Sequence, residues 1–355
     1  MKKLLLFLLP VVMILFSMEA EAQMNRRAIK KNNKRISSFR GRKQDFGKEK
    51  RYNTIGFSLS ALNYYGDLAP GSARLSTDIS FTRPAMSINM SHRFGPRYSV
   101  VGNFMYGTLR GADAESADKN DEIAVSRYKR NLSFRNRIKE LSFVANMDLW
   151  ENQSTYLSRV KWTPYAFAGV AVFHHNPQAI APEFDLDGNP LPQGGEWVNL
   201  QKLGTEGQHA NLRSTDANSG IKPYKLIQFA IPFGAGARFR VNQVVDFSIE
   251  FGFRYLFTDY LDDVSKNYVD LGVFGDNELA KAMSYRSNEL PEVQPFLVPV
   301  QSTVEGHDRS YMLLTGYGQE YPENVRGHKG KDTYMVTTLK LTYIFGKTFH
   351  RAKFR

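Results

Sequence analysis

Cysteine is absent from all 355 residues. That excludes a disulfide scaffold, thiolate metal sites and a lipid-bearing N-terminal cysteine. Long apolar runs are scarce as well. Mean hydropathy is −0.41, and one stretch alone, at the very start, approaches the roughly 20 apolar residues of a spanning helix. A polytopic helical membrane protein is therefore excluded. No phosphate loop, metal-ligand spacing or nucleophile elbow occurs, so no catalytic residue, metal site or cofactor is assigned. Acidic charge is the last shortage: 35 Asp+Glu face 47 Lys+Arg, a net charge of +12. Nucleic acid is the first partner such a balance suggests. Where the charge sits decides the matter.

The first 22 residues read as a signal peptide. Lys2 and Lys3 precede an apolar run from Leu4 to Phe16, and Ala20-Glu21-Ala22 is a small-x-small cleavage site. Export from the cytoplasm removes the case for nucleic acid. Residues 23–51 then form a basic arm. It contains Arg26, Arg27, Lys30, Lys31, Lys34, Arg35, Arg40, Arg42, Lys43, Lys48, Lys50 and Arg51 against Asp45 and Glu49 alone, a net charge of +10. So charge-dense a segment cannot bury enough apolar surface to fold by itself. It reads as a solvated tether to an anionic surface or a protein partner. A second, short basic tail closes the chain at 347–355.

Between them, at 52–346, the apolar residues recur with period two, which is strand patterning rich in aromatics. Eight segments qualify: 53–65, 83–94, 97–109, 139–149, 162–174, 225–241, 244–257 and 333–346. In the first, Ile55, Phe57 and Leu59 alternate with Gly56, Ser58 and Ser60; in the seventh, Phe247, Ile249, Phe251 and Phe253 alternate with Ser248, Glu250, Gly252 and Arg254. The fifth puts Tyr165, Phe167, Ala171 and Phe173 on its apolar face. Long and short connections alternate. An eight-stranded antiparallel up-and-down transmembrane β-barrel follows, all-β, with long extracellular loops and both termini periplasmic. A soluble lipocalin-like barrel would turn its apolar faces inward. These faces are too bulky for an eight-stranded interior, whereas the opposite faces suit a narrow polar lumen.

On those polar faces Arg238, Arg240, Asp246, Glu250, Arg254 and Lys340 are candidate lumen ion pairs. A turn centred on Gln243 sets Arg240 opposite Asp246 and Arg238 diagonal to Glu250, which would neutralise charges costly to bury alone. A transport or catalytic cluster is the competing reading, and the narrow lumen opposes it. His92, His174 and His175 read as surface residues; Ser91 and His92, as strand neighbours, point to opposite faces. Asp185-Leu-Asp187-Gly-Asn189 resembles part of a calcium loop, but Gly188 is misplaced and no glutamate closes it. An Asp-rich turn is the better reading. The loops 175–224 and 259–332 carry net charges of −3 and −6, which leaves room for an adhesive role.

The first strand ends in Asn63-Tyr64-Tyr65-Gly66-Asp67-Leu68. Together with the signal peptide, the arm and eight strands, this stretch resembles the PorG-like outer-membrane proteins of Bacteroidetes. The resemblance covers roughly 52–346 and implies association with type IX secretion and gliding machinery. It further implies a non-enzymatic structural component beside periplasmic or outer-membrane protein subunits. The basic arm would suit such a contact, or one with peptidoglycan. A small barrel with an enzymatic or solute-handling role in its lumen and long loops is the alternative.

Overall fold

The computed structural model describes residues 46–68, 82–121, 124–314, 324–327 and 330–345. Its contacts separate Met1–Gly47 from Lys48–Arg355. The signal peptide, the basic residues Arg26 to Lys43 and the tail 347–355 lie outside the described residues, as does the first long loop over 69–81.

Twelve strands are present among the described residues. They are β1 (Tyr52–Tyr65), β2 (Arg83–Arg93), β3 (Tyr98–Ala112), β4 (Ser133–Asp148), β5 (Trp162–His174), β6 (Pro177–Ile180), β7 (Trp197–Asn199), β8 (Ile227–Arg240), β9 (Val245–Leu256), β10 (Leu297–Gln301), β11 (Ser310–Leu314) and β12 (Thr333–Phe345). Four short helices join them: α1 (Asp113–Ser116), α2 (Val125–Arg130), α3 (Leu200–Leu203) and α4 (Glu278–Ser284). The eight long strands pair in the order β3-β2-β1-β12-β9-β8-β5-β4, and β3 pairs with β4 to close the ring. Every barrel pairing is antiparallel, including the seam between β1 and β12.

Closure leaves no barrel edge, so every lipid-facing backbone group can be paired within the wall. The side chains then divide by parity. Phe229 is 67 % exposed, Val170 64 % and Met90 62 %, whereas the inward Ser58 and Asn89 are 1 % and 2 % exposed. A continuous apolar outer face of that kind needs lipid. Along β4 and the two residues that follow it, this face runs from Leu141 to Trp150, about 23 Å at a tilt of about 40°. Phe94, Tyr98, Trp150, Trp162, Tyr343 and Phe345 are exposed near the short-turn end, as an interfacial aromatic girdle requires.

Three features depart from the alternation read in the sequence. Strand β4 begins at Ser133, six residues before 139, and its extra length pairs with β6, which carries the sheet on to β7 beyond the barrel. The connections 175–226 and 257–332 contain helices and a β10–β11 hairpin. Strand β5 is inverted: Tyr165, Ala171 and Phe173 are buried, and Val170 faces out. The pairing of Phe173 with Glu140 and of Tyr165 with Asp148 fixes that parity. Glycines on the facing strands make the space. A Cβ at Gly234 would lie 2.8 Å from the Phe167 ring, and one at Gly236 would lie 2.9 Å from the Tyr165 ring.

Candidate functional site

From the short-turn end upward, the lumen is a stack of ion pairs. Asp246 accepts from Arg159 at 2.5 Å, and Asp148 from Arg93 at 2.7 Å and Arg238 at 2.6 Å. Above them Glu250 meets Lys340 and the Tyr165 hydroxyl at 2.5 Å. Higher still, Glu140 accepts from Arg254 at 3.1 Å and from the Tyr334 hydroxyl at 2.6 Å. The long-loop half is apolar: Leu62, Met105, Leu109, Phe134, Ile138, Leu256 and Val336 fill it. Two lumen cavities have volumes of about 40 Å³ each, room for little more than water.

The candidate lumen residues all face inward, but their pairing differs from the expected one. Arg240 does sit opposite Asp246 in the ladder, and Arg238 lies opposite Ser248. Even so, Arg240 donates to the backbone oxygen of Arg159 at 2.8 Å, and Arg238 crosses to Asp148 on β4. An eight-stranded interior is narrow enough for a long side chain to reach past the adjacent strand, here β5, to the next one, so hairpin adjacency does not fix the partner. Lys340 and Glu250 do meet as diagonal neighbours, since Lys340 faces Ser248 in the β12–β9 ladder. Sequence reasoning missed Glu140, Arg93 and Arg159 as partners. Glu140 carried a signal, because it shares the parity of Ser142, Asn146 and Asp148.

At the other end the long connections fold into a cap, and the Asn63–Leu68 stretch latches it to the rim. Tyr64 turns inward, its hydroxyl 2.5 Å from Asp262 Oδ2 and 3.0 Å from Asp332 Oδ1. One hydroxyl proton serves one carboxylate. Burial, together with neighbouring carboxylates, raises both aspartates well above the usual range, which favours sharing a proton across the second contact. Gly66 is required by this contact: a Cβ there would fall 2.0 Å from Asp332 Oδ1 and from the Tyr64 hydroxyl. The Asp67 backbone oxygen accepts from Arg130 at 2.8 Å, and Leu68 is buried in the apolar layer. Asn63 donates to Thr82 at 2.7 Å. Tyr65 points outward, without a partner for its phenol among the described residues.

Two arginines organise the cap interior. Arg130, in the last turn of α2, grips the fully buried Asp113 with two bonds of 2.7 Å and also donates to the Arg326 backbone oxygen. Arg326 donates to Glu206 at 3.1 Å and to the Asp263 backbone at 2.7 Å. The Asp263 carboxylate accepts from Thr205 and Tyr224, and burial raises it to about 6. His175 is no surface residue. It is fully buried against Tyr224, and desolvation pushes it down to about 4. His92, by contrast, is exposed, beside Asn53.

Asp185, Asp187 and Glu278 bring their carboxylates within 4.8 Å of one another. Arg309 binds Asp187 and Glu278, Lys281 lies 2.9 Å from Glu278, and Asp185 accepts from the backbone of Asp187 and Asn189. The expected Asp-rich turn is what forms, neutralised by two cations. Three larger cavities, of about 380, 620 and 630 Å³, lie in the cap.

Taken together, the chain is a closed eight-stranded transmembrane β-barrel with a filled lumen and a cap latched to one rim. Residues 45–188 match a family described as a domain of unknown function, DUF6089. No curated protein sequence matches the chain. Among solved structures it is similar to Neisserial surface protein A at 7 % identity, covering 82 % of this chain and 97 % of that one, with a TM-score of 0.33. It is also similar to the outer membrane protein OprG from Pseudomonas aeruginosa at 7 % identity, over 85 % and 99 % of the two chains, with a TM-score of 0.35. A major outer membrane protein from Thermus thermophilus gives 9 % identity over 82 % and 99 %, with a TM-score of 0.33.

Proposed function

We propose that this chain is a non-enzymatic outer-membrane barrel that acts as a structural or assembly component of a protein-secretion complex of the type IX kind. In this reading the cap faces outward and both termini lie in the periplasm. The basic arm, with Arg26, Arg27, Lys30, Lys31, Lys34, Arg35, Arg40, Arg42 and Lys43, engages periplasmic or outer-membrane subunits, or peptidoglycan. The filled lumen carries the proposal. With charged pairs stacked below an apolar layer, and cavities of about 40 Å³ between the side chains, conduction is opposed and the work falls to surfaces and to the arm. The resemblance at Asn63–Leu68 supplies the type of complex.

Deletion of 24–51 tests it. The expected result is a barrel that still inserts, seen as a heat-modifiable band in gels, and that no longer co-purifies with partner proteins from crosslinked membranes. Unchanged co-purification would overturn the proposal.

A further inference from the structure

The outer face of β4 changes character abruptly. Leu141, Phe143 and Met147 are exposed in the lipid belt. On the same face toward the long-loop end, the next three outward residues are Lys139, Arg137 and Arg135. Three cations at alternate positions form a row about 13 Å long, beginning one residue pair above the belt. Arg137 and Lys139 are exposed, and neither has a carboxylate partner among the described residues. Arg135 is held in place: its guanidinium carbon stacks 3.5 Å from the centroid of the Trp197 ring, and its Nε donates to Gln178 at 3.2 Å. His174 lies beside Lys139 on β5.

Like charges in a row repel and are unfavourable without a counter-charge. They do not belong to a generally positive surface either, since the loops 175–224 and 259–332 are acidic. No carboxylate among the described residues supplies that counter-charge, and the row lies at the height where lipid headgroups meet the barrel. An amphiphile with an anionic head and several acyl chains matches the order of residues, its head on Arg135–Lys139 and its chains on Leu141 and Phe143.

We propose that this face binds the phosphorylated headgroup of a glycolipid in the leaflet surrounding the long-loop end. The assignment of glycolipid rests on the outward orientation of the cap given above. The two are tested separately. For the site, the full-length protein in detergent micelles is titrated with diphosphoryl lipid A, dephosphorylated lipid A and phosphatidylglycerol, with bound lipid counted by native mass spectrometry. Diphosphoryl lipid A is expected to bind at least tenfold tighter than the other two. The double variant Arg137→Gln, Lys139→Gln is expected to lose about 30-fold, close to fivefold per cation. The double variant Arg97→Gln, Lys161→Gln, at the short-turn end, should bind as the wild type does. Equal binding of the three lipids, or wild-type binding by the Arg137/Lys139 variant with its heat-modifiable band intact, would overturn the site. For orientation, Asn189→Cys supplies the only thiol in the chain. Labelling of intact cells by an impermeant maleimide supports the outward cap; protection until lysis overturns the orientation and the glycolipid assignment with it, while leaving the micelle result to judge the basic row.

Discussion

Replacing Arg130 by methionine should open the cap while leaving the barrel closed. The guanidinium makes two 2.7 Å bonds to Asp113, one bond of 2.8 Å to the Asp67 backbone and one to that of Arg326. Methionine fills much of the volume and replaces none of these bonds. Asp113, fully buried, is left with the Leu132 amide at 3.1 Å and the Arg127 guanidinium at 3.8 Å. Removing one partner of a buried pair costs about 3–5 kcal/mol. The remaining Arg127 contact places the effect near the lower bound, so cap opening should become roughly 150-fold more frequent at a cost of about 3 kcal/mol. Hydrogen exchange in micelles at pH 7.5 reads this directly. Amides of α2, α4 and the 259–268 segment should lose protection, those of β1, β9 and β12 should keep theirs, and Arg130→Lys should fall between because it keeps the charge without the fork. The reasoning fails if the cap exchanges at the wild-type rate. It fails equally if barrel and cap lose protection together, because the cap would then be no separate cooperative unit.

Gly66→Ala should release the same cap from the rim, through the 2.0 Å clash with Tyr64 and Asp332; faster proteolysis of residues 257–314 with normal insertion would show it. Lys340→Met leaves Glu250 with Tyr165 as its hydroxyl partner and should lower barrel stability by about 3 kcal/mol in urea titrations. Acid should loosen the cap through His175. Its ionisation is lowered from 6.5 to about 4, so the contribution is complete above pH 6.5 and falls by about 3 kcal/mol as the pH drops to 4. Asp263 acts with the opposite sign: raised from 3.8 to about 6, it favours the folded cap below pH 3.8, and that contribution is lost as pH rises through 6. Cap exchange rates across this range should therefore be less acid-sensitive in His175→Gln and more so in Asp263→Asn.

Alternation made the barrel legible because one period governs both the pleat and the two solvents, lipid outside and polar groups within. Seven strands put their bulky residues outward as their sequences indicate. In β5 both faces are apolar, so composition could not choose between them; the choice came from Glu140 and Asp148 next door and from the glycines facing Tyr165 and Phe167. The charged lumen residues were legible by parity, whereas their partners were not, since Arg238 reaches past β5 to Asp148 rather than to a neighbour in its own hairpin. The cap was least legible. His175 looks exposed in a polar loop, and only the return of Tyr224 and Lys225 to the same place buries it. Contacts such as Arg130–Arg326 join residues 196 positions apart, and no local pattern announces them.

The contact of Tyr64 with Asp332 lies where the chain's first and last barrel strands meet. Tyr64, the last residue but one of β1, lies opposite Tyr334, and Asp332 immediately precedes β12. The two are 268 residues apart in sequence, so their meeting waits on a contact of long range, the joining of the two ends of the sheet. A cap seated on that contact is a receipt for completed closure: a barrel with an open seam has no rim for its loops to settle on, and it displays that fact on its surface.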